Sequence, residues 1–270
     1  MRIRAIMNIF LIMLGATITS FGMVLQKIGI RWMDLKKSRQ PEYTRYLWLW
    51  LLGMALAYVV SSIPNSIAAQ TLPPHIITMA AGWIIVMVVF LSKIFLKEQV
   101  YRSDILYSFV IMGMTILIAS RSKPAEHFST NRSMMVFLFL LPCLSLLPLF
   151  FKSLDNKRKS ILLSVYAGCL SGLTIVFFDM TVRELFTWDI SRISVDILIL
   201  YVLSAVLGAA AEQASYRIGE MKTVAVVRLS LYIVYPVLGS LFLFGTSADP
   251  IQLGSIAVLI FCCYGILKRR

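Results

Sequence analysis

Acidic residues are scarce in this chain: 13 aspartates and glutamates stand against 26 lysines and arginines among 270 residues, and charged side chains make up only 14% of the total. Two histidines and four cysteines complete a short list of reactive side chains. His75 and His127 are solitary, and no GxSxG, HExxH or Walker-type motif occurs. Cys143, Cys169, Cys262 and Cys263 fall inside apolar runs, with neither metal-ligand spacing nor a disulfide pattern, and read as packing residues. No polar tail or linker is long enough to fold separately. These shortages argue against an enzyme, a bound metal or a cofactor, and leave one membrane domain over 1–270 with short connections.

Apolar residues are abundant instead, at 59% of the chain, with a mean hydropathy of +0.82. That is more apolar surface than one soluble core of this length uses, so the bilayer is the expected partner. A span takes about 20 mostly apolar residues. Nine such windows can be read, near 5–28, 46–69, 74–96, 103–120, 133–153, 160–182, 194–216, 222–244 and 250–267. The expected fold class is an all-α polytopic membrane protein with about nine transmembrane helices. The basic excess concentrates between the windows and reads as topology, not as a nucleic-acid footprint. Connections on one side carry 16 lysines and arginines and those on the other side 7. The positive-inside rule then favours a multi-pass protein of the cell membrane with its N-terminus outside and its C-terminus cytoplasmic. The opening MRIRAIMNIFLIMLGATITS has the layout of a signal peptide, but its apolar run continues past the cleavage zone and reads better as a first span.

Sliding the sequence by 147 residues lays the third and fourth windows on the eighth and ninth: Leu91, Phe95, Leu96, Leu106 and Ser108 meet Leu238, Phe242, Leu243, Leu253 and Ser255. Spans one to four (1–120) and six to nine (160–270) would then be two four-helix repeats around a connecting helix at 133–153. An odd number of crossings before the second repeat inverts it. Inverted repeats are a transporter signature, with the substrate near mid-membrane between the halves.

Small and polar residues at helical spacing mark faces turned away from lipid. Such faces run through Gly15, Thr19, Gly22 and Gln26; through Tyr58, Ser62, Asn65 and Ala69; through Gly168, Gly172 and Asp179; through Ser204, Gly208, Glu212 and Ser215; and through Arg228, Tyr232, Tyr235 and Gly239. The glycines read first as close-packing sites, whereas ionisable groups at depth point to function. Pro64 and Pro236 each remove a backbone donor inside a span. Glu212 and Arg228 sit at similar depth, roughly 9 to 10 Å, on either side of the turn at 218–221. Three roles stay open for Arg228: an ion pair with Glu212, a substrate contact, or snorkelling to the interface.

The segments SFGMVLQKIGIRW (20–32), NSIAAQTLPPHIITMAAGWIIVMVVFLSKIFLKE (65–98) and QASYRIGEMKTVAVV (213–227) resemble the NIPA-type magnesium transporters, a branch of the drug/metabolite transporter superfamily with EamA-like relatives. The resemblance implies nine helices where the EamA relatives have ten. It also aligns Asn65 with an asparagine of the second helix, Pro73 with the proline before the third, Thr78 with the threonine of a VTPLG motif, and Glu98 with the end of the FLKE box. The chain departs from the pattern in three places. Ser62 stands where the family has an acidic residue, Met79 where it has a proline, and AVVRL (225–229) where it has TPIYY. A hard dication wants oxygen ligands, whereas a guanidinium suits carboxylate or phosphate.

The sequence is thus read as a drug/metabolite-type transporter moving a small polar or anionic metabolite by alternating access, as a monomer or homodimer. Gln26, Ser62, Asn65 and Thr78 are expected to line the first half of its cavity, and Glu212, Arg228 and Tyr232 the second. Asp179 or Glu212 would couple protons or ions. A NIPA-like magnesium or divalent cation transporter is the first alternative, and a non-transporting membrane scaffold or assembly factor the second.

Overall fold

A chain segment in hydrocarbon must satisfy its backbone polar groups internally, and long apolar runs do so as helices. The computed structural model describes residues 2–33, 41–69, 74–121, 132–150, 154–186, 195–244 and 249–268, and every regular element among the described residues is helical. In chain order these are α1 (Arg2–Trp32), α2 (Pro41–Met54), α3 (Ser62–Ala69), α4 (Pro74–Phe95), α5 (Arg102–Arg121), α6 (Arg132–Leu140), α7 (Asn156–Phe186), α8 (Val195–Ile218), α9 (Met221–Phe244) and α10 (Pro250–Lys268). A π-helical turn, Ala55–Val60, joins α2 to α3, and a 3₁₀ stretch, Leu141–Phe150, continues α6. Seven stretches are long and apolar enough to cross a membrane: Ile9–Trp32, Glu42–Ala68, Arg102–Arg121, Asn156–Phe178, Val195–Ile218, Met221–Gly239 and Pro250–Lys268. Two more, Ala80–Phe95 and Ser133–Leu149, are apolar but shorter. The chain is therefore an all-α, multi-pass membrane protein.

Helix starts follow local chemistry. Asp249 accepts the Ile251 N–H at 2.8 Å and Pro250 takes the first helical position of α10, where its missing donor costs nothing. Asp155 caps α7 by accepting the Arg158 N–H at 2.9 Å. Inside the second rod, which runs through α2, the π-turn and α3, Pro64 cannot donate to the carbonyl of Val60. The helix widens just before it: the Ser61 N–H reaches back five residues to the Leu56 carbonyl at 3.1 Å, and the Ser62 hydroxyl caps the Val59 carbonyl at 2.6 Å. The break expected at Pro64 is therefore a π-turn whose carbonyls are re-satisfied, of the kind that re-aims side chains at functional sites.

α1 lies along the second rod and α4, and α7 lies along α8 and α9; α4 in turn packs on α9, and α5 on α10. One apolar core joins Val24 of α1 and Ile85, Val88 and Val89 of α4 to Val224, Leu229 and Ile233 of α9. A second gathers Leu170, Leu173 and Phe177 of α7 with Met135 and Leu138 of α6 and Tyr235 of α9. Large apolar side chains such as Phe10, Trp48, Leu106, Val206 and Phe261 stand exposed on the outside, as lipid contact requires.

The turn between α8 and α9 is gripped from both sides. The Lys27 ammonium, on α1, donates to the carbonyls of Tyr216 and Gly219 at the C-terminal end of α8. The Glu98 carboxylate, just beyond α4, accepts the N–H groups of Met221 at 2.6 Å and Lys222 at 3.1 Å, the first two of α9. Each charge has the sign that its helix end favours. Lys97, with a left-handed backbone at φ 55°, turns the chain so that Glu98 reaches this position. Lys222 completes the cluster, donating to the Gln99 carbonyl and pairing with Asp104 at 3.3 Å in the first turn of α5.

Candidate functional site

A cavity opens between the π-turn, α7 and α9. It has a volume of about 610 Å³ and is lined by the π-turn and α3 (Tyr58, Ser61, Ser62, Asn65), α1 (Thr19), α4 (Ala80, Ala81, Ile84), α7 (Ser171, Thr174, Ile175), α8 (Ala205, Ala209, Glu212) and α9 (Arg228, Leu229, Tyr232). α1, the π-turn, α3 and α4 from the first half and α7, α8 and α9 from the second all contribute, so the cavity sits between the two sequence halves.

Arg228 is one wall. Its guanidinium Nη1 lies 2.9 Å from Glu212 Oε1, and Glu212 is 1% exposed. The hairpin-depth argument anticipated this pair, and the pair excludes the snorkelling role. The Tyr58 hydroxyl donates to Glu212 Oε2 at 2.8 Å, and the Tyr216 hydroxyl to Oε1 at 2.5 Å. One carboxylate thus collects three donors from the second rod, α8 and α9. Arg228 keeps an unused donor: its Nε is buried without a partner, as are Asn65 Oδ1 and Ser230 Oγ. A largely desolvated guanidinium on the wall of a cavity is suited to a carboxylate or phosphate oxygen.

Two glycines hold Arg228 in place. A Cβ on Gly168 would sit 2.5 Å from the Arg228 carbonyl oxygen, and one on Gly172 would meet Pro236 Cδ at 2.8 Å. The α7 GxxxG is a seam against the α9 backbone. Gly15 similarly lies against Asn65 and the Ser61 carbonyl, and Gly22 against Ala57 and the Gly53 carbonyl.

Of the expected site residues, the structure brings Ser62, Asn65, Glu212, Arg228 and Tyr232 to the cavity. Gln26 is elsewhere. It is fully buried, donates to the Gly53 carbonyl at 3.2 Å and accepts from Gln213 Nε2 at 2.6 Å, while Gln213 Oε1 accepts from Trp50 Nε1 at 2.9 Å. That chain knits α1, α2 and α8 together, and it spends the amide on packing because α1 meets the second rod closely at Gly22 and Gly53. Thr78 and Asp179 lie on α4 and α7, and their side chains are outside the described residues. Tyr216, Ser171 and Thr174 were not expected as neighbours of the site, and Thr19 was placed on a face turned away from lipid but not assigned to it; Tyr216, one turn beyond Glu212, was also readable in advance.

Among the described residues no three His, Cys, Asp or Glu side chains gather as a metal site. Comparison of the chain with protein-family models, curated proteins and solved structures finds no match.

Proposed function

We propose that the chain is a secondary transporter of the drug/metabolite type that moves a small polar or anionic metabolite by alternating access. The observation that carries this reading is Arg228, ion-paired to Glu212 and with an unpartnered Nε, roughly 9 to 10 Å along its helix from the α8–α9 turn and on the wall of a cavity of about 610 Å³. Ionisable groups at that depth are costly and belong to substrate or ion pathways.

Helix bounds support two inverted repeats. Shifted by 147 residues, Pro74–Phe95 becomes 221–242 and Arg102–Arg121 becomes 249–268, within two residues of α9 and α10. α1 and α7, the first helices of the two halves, also pack alike on the next two rods. The count of nine crossings draws support from winding. Nine α-helical residues at 1.5 Å and ten 3₁₀ residues at 2.0 Å carry Arg132–Phe150 roughly 33 Å, about the thickness of the hydrocarbon core. The ends of the helices that hold Lys27, Glu98, Lys157 and Lys222 lie together, on the side with 16 basic residues. We assign that side to the cytoplasm and the protein to the cell membrane.

A divalent cation is the poorer fit. Glu212 is neutralised by Arg228 and Glu98 is occupied by the N-terminus of α9, so neither carboxylate is free for a hard ion. The test is flux in proteoliposomes. Counterflow of labelled small organic anions is expected to exceed Mg²⁺ entry and to vanish in Arg228→Leu. Mg²⁺ entry without anion flux, or anion flux untouched by Arg228→Leu, would overturn the reading. A scaffold would show no solute flux at all.

A further inference from the structure

We infer that the cavity takes a monocarboxylate together with one proton, with Glu212 and the substrate alternating as the partner of Arg228; this rests on the transporter reading above. The cavity offers one fixed positive charge and one carboxylate, 2.9 Å apart, and the rest of its described wall is small, apolar or hydroxylic apart from the Asn65 amide. The titratable groups facing Glu212 are Tyr58 from the π-turn, Tyr216 from its own helix, and Arg228 from α9; Tyr232 faces Arg228 on the same helix. Among the described side chains, α1, α4 and α7 bring only Thr19, Ser171, Thr174 and apolar groups to the cavity. No second cation is present among the described wall residues to hold a dianion.

With Glu212 ionised, the guanidinium is neutralised and its Nη1 edge is taken, and an incoming anion meets a carboxylate beside it. Protonation of Glu212 by water from the compartment that supplies the anion removes that repulsion. Glu212 keeps its tyrosine partners, and the Arg228 edge turns to the substrate carboxylate. The empty site holds one positive and one negative charge; the loaded site holds Arg228, a neutral Glu212 and one anion. Both are neutral, which is the condition for crossing a low-dielectric barrier without stranding a charge. Release on the far side returns the proton to water as Glu212 recaptures Arg228. A monocarboxylate fits this balance, and the apolar wall suits a carbon body behind it.

The test is binding of radiolabelled L-lactate and phenylacetate to the full chain in nanodiscs, between about pH 5.5 and 7.5, where both probes are ionised. Titration calorimetry in two buffers of different ionisation enthalpy counts protons. The expected result is an affinity that rises about tenfold per unit fall in pH, with about one proton taken up per anion. Glu212→Gln should hold the low-pH affinity at every pH. Tyr58→Phe, which removes one donor from the carboxylate without touching Arg228, should strengthen binding several-fold at a given pH and serves if Glu212→Gln fails to fold. Binding without pH dependence or proton uptake would overturn the coupling and leave the anion transporter standing. Failure of both probes to bind at any pH would overturn the monocarboxylate class. Anion counterflow in proteoliposomes then decides the transporter reading independently.

Discussion

Glu212→Ala is the sharpest perturbation of stability. It removes the ion-pair partner of a guanidinium that is 9% exposed and whose Nε already lacks an acceptor. Breaking a buried pair on one side costs about 3 to 5 kcal/mol, because the remaining charge stays desolvated. The Tyr216 hydroxyl, in a fully buried side chain, loses its acceptor as well, adding about 1 kcal/mol or more. Tyr58 is 43% exposed and adds little. The total, about 4 to 6 kcal/mol, is comparable to the whole stability of many domains. At about 2 to 4 °C per kcal/mol for a large domain, the melting midpoint should fall by roughly 8 °C or more. Replacing both members with apolar residues, Glu212→Leu with Arg228→Met, should recover most of that loss, since the buried charge leaves with its partner. The assay is thermal unfolding of the purified variants in one detergent, arranged as a double-mutant cycle, with monodispersity on size exclusion as a second readout. Equal midpoints for the wild type and the single variants, or a double variant that is simply the sum of the singles, would refute the pair as a structural element.

Three further outcomes follow from packing and backbone geometry. Gly168→Ala should destabilise by about 1 to 3 kcal/mol, because the new methyl meets the Arg228 carbonyl, whereas Gly254→Ala, with nothing within 4 Å, should stabilise by about 0.5 to 1 kcal/mol; thermal melts of the two separate them by sign. Lys97→Gly relieves a left-handed backbone at φ 55° and should raise the melting midpoint, a gain of about 0.5 to 1 kcal/mol after the entropy of glycine in the unfolded chain is counted. Burial raises the Glu98 carboxyl above its ordinary 4.5, against the pull of the Lys222 and Met221 N–H groups and of Lys27. The folded state therefore binds this proton more tightly, and the associated stability is full below the ordinary value and is lost as pH rises through the raised one. Glu98→Gln should flatten that decline in a pH series of melts, and an unchanged slope would count against it.

The rods were legible because apolarity over about 20 residues is a local property. Seven of the windows fall on helices long and apolar enough to cross a membrane and two, 74–96 and 133–153, on shorter apolar ones, with ends set by residues such as Asp249 and Pro250 that act on their neighbours. The Glu212–Arg228 pair was legible for a similar reason, since a short turn fixes the relative depth of two flanking helices. Gln26 was misassigned because periodicity gives the face but not what covers it, and here another helix does. Its partner Gln213 follows Glu212 directly and points about 100° away, so an account centred on Glu212 passes over it. The π-turn was hidden too. Pro64 announces a missing donor, but not which upstream carbonyl is re-bonded or how. The grip on the α8–α9 turn joins residues more than 120 positions apart, which no local pattern encodes.

That grip has a further meaning for how the molecule changes shape. Lys27 and Glu98 hold helix ends, and helix ends are groups that water solvates well. The contact of α4 with α9 deeper in the molecule, built on Val88, Val89, Val224 and Leu229, has no aqueous replacement. Of these two contacts between the halves, the polar one can be exchanged for water at small net difference in free energy, and the apolar one, like the packing of α5 on α10, resists separation. If the halves separate at all, the α8–α9 turn should therefore wet before the α4–α9 and α5–α10 contacts part.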